Sequence, residues 1–266
     1  MKYLLNNNDI EGAKYGRIIR QQEKIFVKNF PNNNDFDYVD LGLPSGNLWA
    51  TCNVGASSPE EIGLYFAWGD TQGYTAEQVG TDEGKKSFNA DWSDYKFSGE
   101  RFNSGISLYG GPVVSANSQF NKYCNNISFG YNDFIDNKLV LDLEDDAAHV
   151  SMGGGWSIPS REDYEELLSS TFPIWTELNG VYGIKFINKS DENKHIFIPN
   201  CNGAKNGEIL PSSQYDTYLR CNSVMENDCR ESIGFYCGGS SFVEFTEAPF
   251  GHSRYMGYPV RGVINI

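Results

Sequence analysis

The sequence predicts an α+β domain built from short strands, few helices and long loops. Three observations point there. Turn-forming residues are abundant, with 28 Gly, 10 Pro and 26 Asn among 266 residues, which argues against helical bundles and coiled coils. Aromatic residues make up 14% of the chain, too many for a disordered polymer. Several apolar runs alternate with period two, and only one long stretch repeats at helical spacing.

In chain order, residues 1–30 stand apart. They carry six basic residues (Lys2, Lys14, Arg17, Arg20, Lys24, Lys28) and three acidic ones (Asp9, Glu11, Glu23), a net +3 against −17 for the rest. Asn-Asn-Asn-Asp tracts at 6–9 and 32–35 read as linkers. The expected organisation is therefore an N-terminal arm over 1–35 and one folded domain over 36–266. The arm has too few apolar residues to fold alone. It is read either as an anchor that orders on a partner or as an extension packed on its own domain.

Residues 71–137 show little periodicity but many aromatics, a pattern expected of long loops held by their own packing. A short helix is expected near Ser115–Tyr123 and another over Leu141–Val150. The clearest helix starts after Ser160, an N-cap with Asp163 three residues on as an acidic capping-box partner. Tyr164, Leu167 and Leu168 give it one apolar stripe, and Glu162 and Asp163 sit at its positive end. Strands are expected at Val181–Ile187, with Tyr182, Ile184 and Phe186 on one face, and at His195–Pro199. Two more are expected at Ser241–Thr246 and at Val260–Ile266, the last with Val260, Ile264 and Ile266 on one side.

Composition narrows function. A formal charge of −14 and a pI near 4.6 would repel phosphates, so nucleic acid is not an expected partner. No apolar run reaches the roughly 18–20 residues of a membrane span, and Met1–Ile10 has no secretory apolar core. The six cysteines (52, 124, 201, 221, 229, 237) match no common zinc spacing. They read mainly as free, buried thiols, with disulfides or metal as the other readings. Enzyme motifs are not evident: none of His149, His195 and His252 lies in a recognisable nucleophile or metalloprotease motif, and no enzyme is expected.

Three groups of residues are candidates for chemistry. Asp142, Glu144, Asp145 and Asp146 crowd five positions. Asp142, Asp145 and Asp146 are the candidate ligands of a hard cation such as Ca²⁺, against a solvated acidic helix start as the other reading. Trp49, Trp68 and Trp156 read as core, with a sugar-stacking platform as the alternative. Residues 212–255 mix Tyr and Arg with Ser, Gly and Asn, the composition of binding loops. Tyr215, Tyr218, Arg220, Asn222, Tyr236, Arg254 and Tyr255 are the candidate ligand contacts there, against an ordinary polar surface.

Four ordered segments carry a resemblance: Leu48–Asp70 (LWATCNVGASSPEEIGLYFAWGD), Asp145–Ala148 (DDAA), Gly154–Leu168 (GGWSIPSREDYEELL) and Arg254–Val263 (RYMGYPVRGV). Together they resemble the Fibrobacter succinogenes major paralogous domain, found in gut Bacteroidetes and their phages. That family is similar in fold to C-type lectins and the formylglycine-generating enzymes. The likeness spans about residues 38–266. It departs from the family at Trp156-Ser157-Ile158-Pro159-Ser160, where relatives usually read W-R-x-P-T. The resemblance implies a mixed, twisted, C-type-lectin-like sheet, two or three short helices and a ligand face built late in the chain. Taken with the absent secretory core and the oppositely charged arm, the motifs lead to the expectation of a non-enzymatic structural protein of a phage virion, a capsid decoration or head fibre. Such a protein would attach to host-surface or gut glycans, join other virion proteins through its arm and form a homo-oligomer, with a trimer expected. A bacterial surface or secreted adhesin and a purely architectural virion protein are the alternatives.

Overall fold

The computed structural model describes residues 36–81, 88, 95–103, 116–211, 215–239, 242–246 and 252–266, without the side chains of 100–103, 116–119 and 242–246. The expected arm lies outside the described residues. The first half of the chain runs through β1 (Tyr38–Asp40), β2 (Leu48–Asn53), β3 (Tyr65–Phe66), α1 (Ala76–Val79), β4 (Ser98–Asn103) and β5 (Ala116–Phe120). It continues to α2 (Ala147–Met152), β6 (Trp156–Ser157) and α3 (Arg161–Ser170). The second half is strand-rich: β7 (Thr171–Leu178), β8 (Val181–Asn188), β9 (His195–Pro199), β10 (Ala204–Lys205), β11 (Glu208–Ile209) and β12 (Asp216–Val224). It closes with β13 (Glu231–Gly238), β14 (Phe242–Thr246), β15 (His252–Ser253), β16 (Tyr258–Pro259) and β17 (Arg261–Ile264).

Strands outweigh helices, and the α+β expectation holds at that level. The principal sheets are β1-β2-β17-β6, β7-β8-β9, and β12-β13-β14 with β15 on β13. Every described ladder between these strands is antiparallel. A mixed sheet was expected; among the described residues, parallel pairing is confined to the single bridges Phe120–Gly130 and Cys201–Thr217.

The four-stranded sheet is buried on both faces, and its period-two alternation feeds two separate cores. Tyr38, Leu48, Ala50 and Ile264 point into one cluster, with Trp68, Phe66, Tyr95, Phe97, Phe120, Tyr123 and Trp156. Val39, Trp49 and Val263 point into the other, with Tyr164, Leu167, Ile184, Phe186, Ile198, Leu219 and Phe235. Trp49, Trp68 and Trp156 are thus core residues, each 1% exposed or less. A β-bulge between Arg261 and Val263 sets the register of β17 against β2.

Helix α3 forms as read, with Ser160 accepting from the Asp163 amide and Asp163 accepting back from Ser160. Tyr164 stacks on Phe235 at 4.2 Å and is tilted against Trp49. Three expectations change. Residues 116–120 form β5, a hairpin partner of β4, rather than a helix. The run 141–150 is a 3-10 turn (Leu143–Asp145) followed by α2, because Asp146 leaves helical geometry to cap α2 by accepting from the His149 amide. Ile266 does not share the buried side with Val260 and Ile264: β17 ends at Ile264, and Ile266 is 67% exposed. Tyr182 follows the parity of Ile184 and Phe186 but lies at the hairpin tip and is exposed.

Among the described residues of the aromatic stretch, Phe97–Tyr123 and Tyr95–Phe97 meet edge-on at 5.2 and 5.8 Å, and Tyr123 also meets Trp68 from outside the stretch at 5.0 Å. Trp92 and Tyr109 lie outside the described residues. Thr75 and Gln78 cap α1 reciprocally, a helix that the sequence reading passed over.

Candidate functional site

The late candidates separate into two groups. Arg220, Arg254 and Tyr255 are buried, at 1%, 0% and 6% exposure, so the expectation that they contact ligand is corrected. Arg254 is consumed inside the protein. Its Nε donates to Tyr95 Oη, its Nη1 to the carbonyls of Tyr123 and Cys229, and its Nη2 to the carbonyl of Lys122. Its guanidinium also lies 4.2 Å from the Phe120 ring centroid and 4.8 Å from that of Trp68. Arg220 donates to Ser232 Oγ and to the Met256 carbonyl and lies over the Tyr258 ring. Burial lowers its pKa to about 10, so it stays charged at neutral pH. A third buried arginine, Arg261, donates to the carbonyls of Ala50 and Phe197.

The other group reaches the surface. Tyr218 and Tyr236 are directly paired across β12 and β13, half-buried, with rings 4.5 Å apart and 29° from parallel. Tyr236 Oη donates to Asp216 Oδ1 at 3.0 Å. Asp216 faces Gly238 across the ladder. A Cβ on Gly238 would lie 1.7 Å from Tyr236 Oη, so glycine there lets the ring lie along the strand and reach the carboxylate. At the same corner, exposed Tyr215 meets Trp175 edge-on at 5.7 Å. Trp175 Nε1 donates to the Gly239 carbonyl and the Gly239 amide donates to the Tyr215 carbonyl. The exposed edge is thus an aromatic rim of Tyr218 and Tyr236 beside Asp216, while Trp175 and Tyr215 form a separate pair on the opposite side of the sheet, toward the cluster of Leu219 and Phe235. Asn222, also a candidate, is not part of the rim. It sits six residues from Asp216, about 20 Å along β12, with its amide donating to the Pro159 carbonyl.

Trp175 lies outside the motif segments, which hold the three tryptophans that the sequence singles out. Its place on an alternating run next to Phe172 and Ile174 was the available signal. Below the rim, His252 lies edge-on to Tyr218 and 4.3 Å from Tyr258. Burial first, then the nearby Arg220 charge, lowers its pKa to about 3, so it is neutral.

The acidic group also reassembles. Asp142, Glu144 and Asp145 bring oxygens within 4.8 Å of one another, whereas Asp146 is spent on the amides of His149 and Ile158. Asp146 is therefore corrected as a ligand, and Glu144 takes its place. The focus of the three carboxylates holds an ammonium. Lys122 Nζ lies 2.8 Å from Asp142, 3.1 Å from Glu144 and 2.6 Å from Asp145. Lys96 adds a contact to Asp145 and Lys138 one to Asp142. Hydrogen bonds from Lys122 and Lys138 hold the Asp142 carboxyl down to about 2. Three ammonium groups thus match three carboxylates, which leaves a divalent ion with lysines to displace before it binds. The sequence reading missed Lys122 because it lies 20 residues upstream.

A cavity of about 190 Å³ is lined by Phe36, Asp37, Thr51, Cys52, Asn53 and Met152, among others. Burial raises the pKa of the Cys52 thiol, which keeps it in its unreactive form. The six cysteines are free thiols in this structure, five of them buried.

Fold and site together define an α+β domain with arginines locked inside and an aromatic rim at one end of its late sheet. No protein-family model, curated protein or solved structure matches the chain. No described helix is long and apolar enough to cross a membrane.

Proposed function

We propose that this chain is a non-catalytic, C-type-lectin-like binding module that holds host-surface or gut glycans on the rim of Tyr218 and Tyr236. The observation that carries the reading is the half-exposed Tyr218–Tyr236 stack, anchored by Asp216. Rigid aromatics offer a sugar ring apolar area at low entropic cost, and a neighbouring carboxylate accepts strong hydrogen bonds from hydroxyls. Burial raises the thiols of Cys52, Cys201, Cys221 and Cys237, which makes these four poor nucleophiles. The motifs and the charge contrast between residues 1–30 and the rest support placing the module on a phage virion. There the arm joins other virion proteins, and a closed homo-oligomer, a trimer in our reading, multiplies weak sites into avidity. A glycan array probed with the full chain tests the binding reading. Binding that falls at least tenfold in Tyr218→Ala or Tyr236→Ala, with the fold intact, is the expected result. Silence across the array, or binding indifferent to both changes, overturns it. Mass spectrometry of purified particles tests the virion placement.

One observation favours the architectural alternative. Strand β7 exposes Phe172 and Ile174, at 55% and 49%, and β8 is its one partner among the described strands. An apolar row on an edge strand suits packing against another subunit. Light scattering of a Phe172→Lys variant separates the readings: dissociation of an oligomer with glycan binding retained assigns that face to assembly.

A further inference from the structure

We propose that Cys124 and Cys229 are a disulfide-forming pair, which clamps the aromatic stretch to the β12–β13 turn when the protein meets an oxidising environment. The inference is independent of any glycan reading. The two sulfurs lie 3.6 Å apart, both residues fully buried. Theirs is the one thiol–thiol contact among the described residues. Closing to the roughly 2.05 Å of an S–S bond takes about 1.5 Å of further approach between the sulfurs.

The backbones are already held in register. One nitrogen, Arg254 Nη1, donates both to the carbonyl of Tyr123, the residue preceding Cys124, and to the carbonyl of Cys229 itself. Asp136 accepts from the amides of Tyr123 and Cys124, and Asn125 Nδ2 donates to the Glu226 carbonyl. These contacts hold two segments together that lie 105 residues apart in sequence. The cysteines thus meet because polar contacts place them, before any covalent bond exists.

The two thiols are unequal. The Cys229 hydrogen bond, with a backbone hydrogen bond at Asn126 and the Arg254 charge as smaller contributors, shifts Cys124 toward thiolate, whereas Cys229 is held protonated. Cys124 is therefore the attacking sulfur. With a low-molecular-weight disulfide as oxidant, the Cys124 thiolate attacks one of its sulfurs and expels a thiolate, leaving a mixed disulfide. Cys229 then gives up its proton and attacks the Cys124 sulfur, expelling the second thiolate. Two protein thiols are oxidised and one small disulfide is reduced to two thiols. Because both sulfurs are sealed from solvent, exchange occurs while the chain folds or while the 121–139 segment is lifted.

The test uses the full chain, refolded in oxidised or in reduced glutathione, then denatured, alkylated and mapped by mass spectrometry without reduction. The expected result is a single crosslinked peptide pair joining Cys124 to Cys229, with Cys52, Cys201, Cys221 and Cys237 alkylated. Oxidised protein should melt roughly 5 °C or more above reduced protein, given the long loop closed. The double variant Cys124→Ala/Cys229→Ala should lose that difference. Both thiols alkylated after oxidative refolding, or a crosslink between other cysteines, overturns the inference. Peptide mapping of the unmodified sequence decides the matter even if the variant fails to fold.

Discussion

Arg220 and Tyr218 are two residues apart on β12 and share a face, yet one is sealed inside and the other meets solvent. The difference comes from what crosses above them. The segment 252–258 brings Tyr258 over Arg220, while Tyr218 lies at the margin of that cover and pairs with Tyr236. Local composition is the same in both places. A binding-loop composition marks a segment rich in contacts, and only the tertiary crossing decides whether those contacts face inward or outward.

This contrast can be broken most severely at Arg254. Replacing it with Met strands the carbonyls of Tyr123, Cys229 and Lys122 in an apolar setting, so Arg254→Met should cost at least about 3 kcal/mol. Urea unfolding measures it; a loss below 1 kcal/mol would mean that the buried network is dispensable.

The next largest effect concerns Glu231, beside the covered face. Burial raises its pKa to about 7, although Ser253 and Arg220 pull the other way. The folded state therefore holds the proton more tightly than the unfolded chain, whose carboxyl ordinarily titrates near 4.5. Stability from this group is complete below 4.5 and lost as pH rises through about 7. Glu231→Gln should match the parent at pH 4 and exceed it by on the order of 2 kcal/mol above pH 7. Thermal melts across that range check the sign.

Outside, the effects should be small on stability. Tyr236→Phe removes only the hydroxyl bonded to Asp216, half-buried, and should shift unfolding by about 1 kcal/mol or less. A larger shift would place the rim in the core's network and weaken its assignment as a binding surface. Smallest of all should be the response to calcium. With Lys122 seated among Asp142, Glu144 and Asp145, calorimetric titration of millimolar Ca²⁺ is expected to be flat, and Lys122→Ala is the variant in which heat appears.

Elements with local signatures were legible in the sequence. The Ser160–Asp163 capping box and the Tyr164–Leu167 stripe specify α3, and alternation specifies β8 and β9. The three motif tryptophans were readable as core because large apolar area is seldom left in water. What escaped depends on distant partners. Residues 116–120 pair with β4 rather than coil. Asp146 is diverted to a cap by the His149 amide, and Lys122 supplies the charge that the acidic run would otherwise seek from an ion. Of the surface aromatics, Tyr215, Tyr218 and Tyr236 could be singled out from composition. Arg220, Arg254 and Tyr255 could not be set apart from them, because their burial depends on aromatics and a crossing segment far away in sequence.

The placement of β17 has a consequence for biosynthesis. This strand lies between β2 and β6, and 211 residues separate Arg261 from the Ala50 carbonyl that it clasps. A nascent chain emerging from the ribosome thus exposes one edge of β2, with Leu48 and Trp49 unsheltered, until residues 261–264 arrive to fill the gap. Until then each interior lacks its β17 residue, Ile264 in one and Val263 in the other, so the polypeptide is open to chaperone capture between the emergence of β2 and that of β17.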